Sequence, residues 1–353
     1  MARSNGIMGI DFGYAVALLG TMISGCVFSV GDRLTMLSHE HYYALFDFFP
    51  ALFFFLNGVK LSLTMRDRRV SMRKLLSYVA KRGGILLTIG FVFIGIWPLN
   101  LFVPCGLFFL VAPVFAQWNN VIIRILAVAS ALIAIMIINT DVETFPLYSG
   151  FQLQGSGMRE LVAFLLFNGY YSFLPWFVFF LVGFDYGRTD IRPKGLFPPS
   201  SFVAIALIAV GIFIEMQCHK LYNPIDELNS LRIFPFSLKL FIPSFIVMMA
   251  GICILFVNTS VFLLRRYSGK LVKPITSISG SKYSIYAVQL LFAFITIRTF
   301  NLIMFHDKYF LLVYIVGDLL LCIWLIALWR KKVDEVAPIE RLIKRVSGSA
   351  KKS

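Results

Sequence analysis

Long apolar runs, separated by short polar breaks, follow one another along almost the whole chain. A helix that crosses a bilayer needs ~20 mostly apolar residues. Ten segments fit that pattern, near 10–30, 44–64, 83–98, 102–118, 121–139, 172–187, 199–217, 240–263, 283–300 and 310–329. The third and fourth are short. Between them, IWPLNLFVPCG (96–106) predicts a tight turn, because Pro98 and Pro104 punctuate it. The predicted fold is an all-α polytopic transmembrane bundle of about ten spans. Residues 1–330 make one membrane domain and 331–353 a basic cytosolic tail. Within that tail, PIERLIKRV (338–346) predicts a short amphipathic helix on the inner leaflet. The chain has no internal repeat, which argues against transporters built from inverted repeats.

Composition agrees with this pattern. Of 353 residues, 59% are hydrophobic and 14% charged, and 37 are Phe. A soluble globule could not cover so much apolar surface, whereas lipid can. No small-residue cleavage site follows the first apolar run, so that run predicts a retained span. The net charge of +15 raises the question of nucleic acid, and its placement answers it. With the N-terminus inside, most of the 33 basic residues fall on the cytosolic side. The outer side keeps only Arg33, Arg159, Lys220, Arg232, Lys239, Arg298 and Lys308, while Lys60 lies within the second span. The basic excess is therefore a topology signal and an attraction to anionic lipid, with both termini cytosolic and no nucleic-acid partner.

An ionisable residue inside a span is a functional candidate by default. Asp47 lies early in the second span, on the same helical face as Gly58 eleven residues later. That stripe predicts a face turned to other helices. Its bland alternative is a cap or a partner for an arginine. Asp318, mid-way along the tenth span, could pair with Arg298 across adjacent helices. Asp11, Asp185 and Glu215 read as interfacial. The four histidines, His39, His41, His219 and His306, all fall at the outer side. His39 and His41 stand just before Asp47, and an imidazole can take a proton from a hydroxyl or amine near neutral pH. His-x-His could also hold a metal, but no third ligand has a recognisable spacing, so no metal is predicted. The five cysteines form no CxxC pair. No GxxxxGK[ST], HExxH or GxSxG motif is present.

Several blocks in order along the chain carry a family likeness. They are IDFGYAVALLGTMISG (10–25), HEHYYALFDFFPALFFFLNGVKLSL (39–63) and RDRRVSMRKLLSYVAKRGGILLTIGF (66–91). NGYYSFLPWFVFFLVGFDYGR (168–188), GSKYSIYAVQ (280–289) and EVAPIERLIKR (335–345) complete the set. Together they resemble the membrane acyltransferases related to heparan-α-glucosaminide N-acetyltransferase, with their bacterial multi-pass relatives the nearest in pattern. The chain departs from that pattern at Gly13-Tyr14, where the family has Arg-Gly, and at Ala337, where it has Gly.

The resemblance implies transfer of an acyl group, typically acetyl, from cytosolic acetyl-CoA to a sugar hydroxyl or amine beyond the membrane of a bacterial cell. It implies a catalytic histidine at the outer end of the first loop. His39 lies nearer the family's His-to-Asp spacing, and His41 stays an alternative. Asn168 and Gln289 carry over as site-lining amides, and Asp11 as a structural or donor-side acid. Arg66, Arg68, Arg69, Arg73, Arg265 and Arg266 are candidates for the phosphates of CoA, since guanidinium matches phosphate bidentately. The expected partners are membrane lipid, acyl-CoA and a glycan or glycolipid acceptor. Association into a homo-oligomer is left open. Two other classes compete: a transporter or flippase for a lipid-linked sugar or small anion, and a non-catalytic membrane assembly partner.

Overall fold

The computed structural model describes residues 2–31, 41–66, 71–94, 100–140, 165–166, 171–189, 198–222, 243–266, 278–300 and 308–347. Among these the chain is helical, without a strand. In order the helices are α1 (Ala2–Gly31), α2 (His41–Met65), α3 (Met72–Ile94), α4 (Phe102–Phe115), α5 (Asn120–Thr140) and α6 (Phe173–Arg188). They continue as α7 (Pro199–Tyr222), α8 (Pro243–Arg266), α9 (Lys282–Phe300), α10 (Lys308–Lys332) and the short α11 (Pro338–Ser347). Each of the ten predicted segments falls on a helix. Among the described residues six helices, α1, α2, α3, α7, α8 and α10, are long and apolar enough to cross a membrane.

The start of α3 differs most from expectation. α3 starts at Met72 rather than near residue 83. Its first turns keep Met72, Arg73, Lys74, Ser77 and Lys81 exposed while Leu75 and Val79 are buried, so one face packs although the other is polar. In the proposed turn 96–106, Pro104 lies in the first turn of α4. A proline is tolerated there because that N–H has no intrahelical acceptor.

α1, α2 and α6 form the centre. In the membrane-length windows of α1 and α2, 67% of residues are buried, against 17% in α7 and 22% in α10. The peripheral helices accordingly point Phe202, Phe213, Val313, Leu320 and Trp324 outward. Lipid is as apolar as leucine, so close backbone approach and dispersion must hold such a bundle. The α2–α6 crossing shows how. Gly58 lies against the backbone of Phe180 and Phe184, and Gly183 against the backbone of Phe55. Around this crossing the rings of Phe54, Phe108, Trp176 and Phe180 pack edge to face or tilted, with Phe54–Phe108 and Phe108–Phe180 centroids both 5.2 Å apart.

Polar contacts tie the helix ends together at two levels. At one end, the end of α2 meets the end of α6 through Arg66 and the Thr189 carbonyl. There too, Arg124 of α5 pairs with Asp185 of α6 at 2.9 Å, and Asn258 of α8 meets Tyr186 of α6 and Ser201 of α7. At the other end, Thr296 of α9 meets Tyr314 of α10, and Ser244 of α8 donates to Glu215 of α7. The first level collects the helix ends that basic-residue placement assigns to one side.

Candidate functional site

Of the expected catalytic group, the structure describes Asp47 in full. It is fully buried in α2 and lies within electrostatic reach of Tyr171. His41 begins α2, but its side chain lies outside the described residues, as do His39, Asn168, Arg68 and Arg69. The side chains of Arg265 and Arg266 at the end of α8, of Arg298, and of His219 and His306 lie outside them too. Arg66 and Arg73 are exposed, and Arg66 donates to the Thr189 carbonyl at 3.5 Å.

Gln289 is buried in α9. Its Nε2 donates to the Met22 carbonyl at 3.2 Å and to Cys26 Sγ at 3.5 Å, both on α1. Asp318 of α10 is buried beside the same thiol. It accepts from Cys26 at 3.7 Å and from Cys322 at 3.5 Å. The described partners of Asp318 are thus the two thiols and the Gln289 side chain; the pairing expected with Arg298 falls on a side chain outside the described residues. Tyr286 lies within reach of both Tyr171 and Cys26, so one buried polar belt runs from Asp47 to Asp318.

A second buried polar group lies towards the other end, and it is rich in cations. Lys60 of α2 pairs with Asp11 of α1 at 3.2 Å, and Ser279 donates to the same Asp11 oxygen at 2.8 Å. Deeper in, Lys282 at the start of α9 is only 4% exposed. Its Nζ sits 3.3 Å from the centroid of the Tyr14 ring and 3.4 Å from Asn57 Oδ1. Arg82 of α3 donates to the Tyr283 hydroxyl at 2.8 Å and lies over the Phe109 ring at 4.4 Å. Lys60 is half-exposed, so the group grades from a mouth at Lys60 to an interior at Lys282.

Donors in this group outnumber acceptors. Tyr14, Lys282 and Tyr283 all point at Asn57 Oδ1, at 3.1, 3.4 and 3.3 Å. One amide oxygen offers two lone pairs. The orientation of the Asn57 amide is fixed by its Nδ2, which donates to the Phe53 carbonyl at 3.0 Å. The buried Arg82 Nε meets no acceptor among the described residues. Charge tells the same story. Lys282 lies within electrostatic reach of Lys60 and Arg82, which repel it, and of Asp11, which attracts it. Among the described residues the other nearby carboxylate, Glu340, is already committed to the backbone N–H groups of Tyr283 and Ser284. Buried cations without matching acceptors are costly, and an anion with several oxygens relieves both deficits at once.

The basic-residue count treated Arg82 and Lys282 as markers of sidedness and noted Lys60 only as lying within a span. The available signal was local: Asn57 and Lys60 stand three apart on one face of an otherwise apolar helix. Among the described residues no three His, Cys, Asp or Glu side chains are placed to hold a metal.

The chain matches no protein-family model, no curated protein and no solved structure. The molecule has two buried polar groups, and one element joins them. α2 does so directly. It carries Asp47 in one group and Lys60 in the other, thirteen residues or about 20 Å apart at 1.5 Å per residue.

Proposed function

We propose that the protein is a multi-pass membrane acyltransferase. It moves an acyl group, in the first instance acetyl, from cytosolic acyl-CoA to a sugar hydroxyl or amine of an extracytoplasmic glycan. In this reading the chain has ten spans with both termini inside, in a bacterial cytoplasmic membrane. One observation carries the proposal: a donor-rich, cation-rich buried group at the end that the basic loops assign to the cytosol, with a buried carboxylate at the far end of the same helix.

The phosphates of CoA are anions of the kind that Arg82 and Lys282 lack, with Lys60, already paired with Asp11, at the mouth. Exposed Arg66 and Arg73, with Arg68, Arg69, Arg265 and Arg266, add positive potential at that side. The thioester arm then runs between helices towards the Asp47 end. There His39 or His41 takes the proton of the acceptor hydroxyl or amine as the acceptor attacks the thioester carbonyl. The tetrahedral intermediate collapses with cleavage of the C–S bond. The CoA thiolate leaves and receives the proton from the imidazolium. Asp47 holds the imidazole in one tautomer. Asn168 serves as an amide donor to the oxyanion, and Gln289, whose Nε2 is held by the Met22 carbonyl and Cys26, lines the site. A two-step route, with the acyl group first on the imidazole, uses the same residues.

A carrier for a small anion also needs buried cations, and the assay separates the two. Purified protein in lipid nanodiscs is given labelled acetyl-CoA and a glycan acceptor. Label is expected to pass to the acceptor and to be lost in one of His39→Ala and His41→Ala. Absence of transfer from any acyl-CoA, together with absence of CoA binding, would favour the carrier.

A further inference from the structure

The last helix, α11, is held in place from within and left open on its outer side. The turn before it is tightly built. Trp329 Nε1 donates to the Val336 carbonyl at 3.3 Å, and Arg330 Nε to the Glu335 carbonyl at 3.0 Å. Asp334 accepts from the Val336 N–H at 3.0 Å and pairs with Arg341 at 2.9 Å. Folded back in this way, α11 packs against α3 and α9. Ile343 is buried, and Ile339 packs partly buried against the same core.

Its polar anchor works in both directions. Glu340 accepts from the N–H groups of Tyr283 at 2.7 Å and Ser284 at 3.3 Å, capping the start of α9. It also accepts from the Ser284 hydroxyl, and that hydroxyl oxygen accepts from the Ile339 N–H at 2.9 Å near the start of α11. The two helix starts cap one another, one residue away from buried Lys282.

The outward side of α11 is unlike the surface of a soluble helix. Leu342 and Val346, one turn apart, are 45% and 50% exposed. Between them in sequence Lys344 and Arg345 are exposed, Arg345 on the same side as Leu342, and Arg330, Lys331 and Lys332 at the end of α10 are exposed as well. α10 is itself long and apolar enough to cross a membrane and points Leu320 and Trp324 outward. α11 starts six residues after α10 ends, so its outer side lies at the level where that span leaves lipid. Exposed apolar residues next to a row of cations, at the lip of a membrane span, fit an anionic bilayer surface.

We propose that α11 is a lipid-seated latch. Lys344, Arg345 and the basic end of α10 hold anionic headgroups, Leu342 and Val346 sink into the interface, and Glu340 is thereby kept on the start of α9. The occupant is the bilayer itself. The inference does not depend on acyl transfer.

The test reads the Tyr283 and Ser284 amides by hydrogen exchange, using the full chain in nanodiscs of phosphatidylcholine alone or mixed with phosphatidylglycerol. Each basic residue near an anionic surface favours the seated state about five-fold. Exchange of these two amides is therefore expected to slow about ten-fold or more in the anionic discs, while α2 amides stay unchanged. The double variant Lys344→Gln/Arg345→Gln should lose most of the difference between discs. Glu340→Gln should speed exchange in both. Equal protection of the wild-type amides in the two discs overturns the proposal. So does a double variant that still responds in full, or zwitterionic discs that gain the same protection from free inorganic phosphate.

Discussion

Gly58→Ala is expected to part α2 from α6, the crossing on which both buried polar groups depend. A Cβ at Gly58 stands 2.7 Å from the Phe184 nitrogen and 3.0 Å from the Phe180 carbonyl carbon, with the Phe180 oxygen closer still. All three are backbone atoms of a helix, so no side chain can swing aside. Ordinary contact needs about 3.5–4.0 Å, so the helices must separate by about 1 Å. A gap of that size forfeits a quarter to a half of each dispersion contact it opens, here including the Phe54, Phe108, Trp176 and Phe180 ring cluster. Overpacking usually costs about 1–3 kcal/mol, and a backbone-limited site belongs at or above the upper end.

Gly84→Ala in α3 is the matched control, because its Cβ meets nothing within 4 Å. Removing a glycine from an unobstructed helix position stabilises by about 0.4–1 kcal/mol. The two single-methyl changes should thus move stability in opposite directions. The assay is unfolding of both variants in one detergent, by heat and by dodecyl sulfate titration, followed by circular dichroism. A Gly58→Ala protein as stable as wild type, or a Gly84→Ala protein that falls equally far, would refute the close-approach argument. Gly183→Ala, from the other side of the same crossing, should add little once Gly58 is replaced, since one separation accommodates both methyls.

Other outcomes follow from the polar groups. Asn57→Leu removes the acceptor shared by Tyr14, Lys282 and Tyr283 and is expected to cost about 1–3 kcal/mol for each donor left buried, read in the same unfolding assay. Lys282→Met removes a buried charge repelled by its neighbours, so stability should hold or rise while binding of labelled CoA falls; a stable variant that binds CoA as wild type does would detach Lys282 from the donor site. The Asp334 carboxyl is held below the usual carboxylate range by the Val336 N–H and, after it, by Arg341. A depressed acid stabilises the folded turn above its unfolded pKa and stops doing so as pH falls through the lower folded value. The α10–α11 turn should therefore tolerate mild acid, loosening only below the ordinary carboxylate range, whereas Asp334→Asn should loosen it at neutral pH. Proteolysis after Lys332 would report both.

The helices were legible because lipid imposes one simple demand, a long apolar run, and each of the ten runs marked a helix. Boundaries failed where a charge was read as an end. Arg82 stays within α3 because its guanidinium lies over Phe109 and reaches the Tyr283 hydroxyl, partners that no local pattern announces. The same cause hid the cation group. Lys60, Arg82 and Lys282 lie on three different helices, and in a basic chain each reads as a marker of sidedness. Only packing shows that their charges are crowded together. Asp47 was legible because a carboxylate inside a span is rare by itself, and its face is buried as the stripe with Gly58 predicted.

α2 bears a residue of each polar group, with Pro50 between them in the same continuous helix. Any occupant of the Lys60 end that favours one setting of α2 must change affinity at the Asp47 end by some factor, and an occupant there must return the same factor. Saturating one end with a non-reacting ligand and titrating the other, then reversing the order, should close to a single coupling constant. A difference between the two orders would mean that the ends communicate by a route other than equilibrium positioning of this helix.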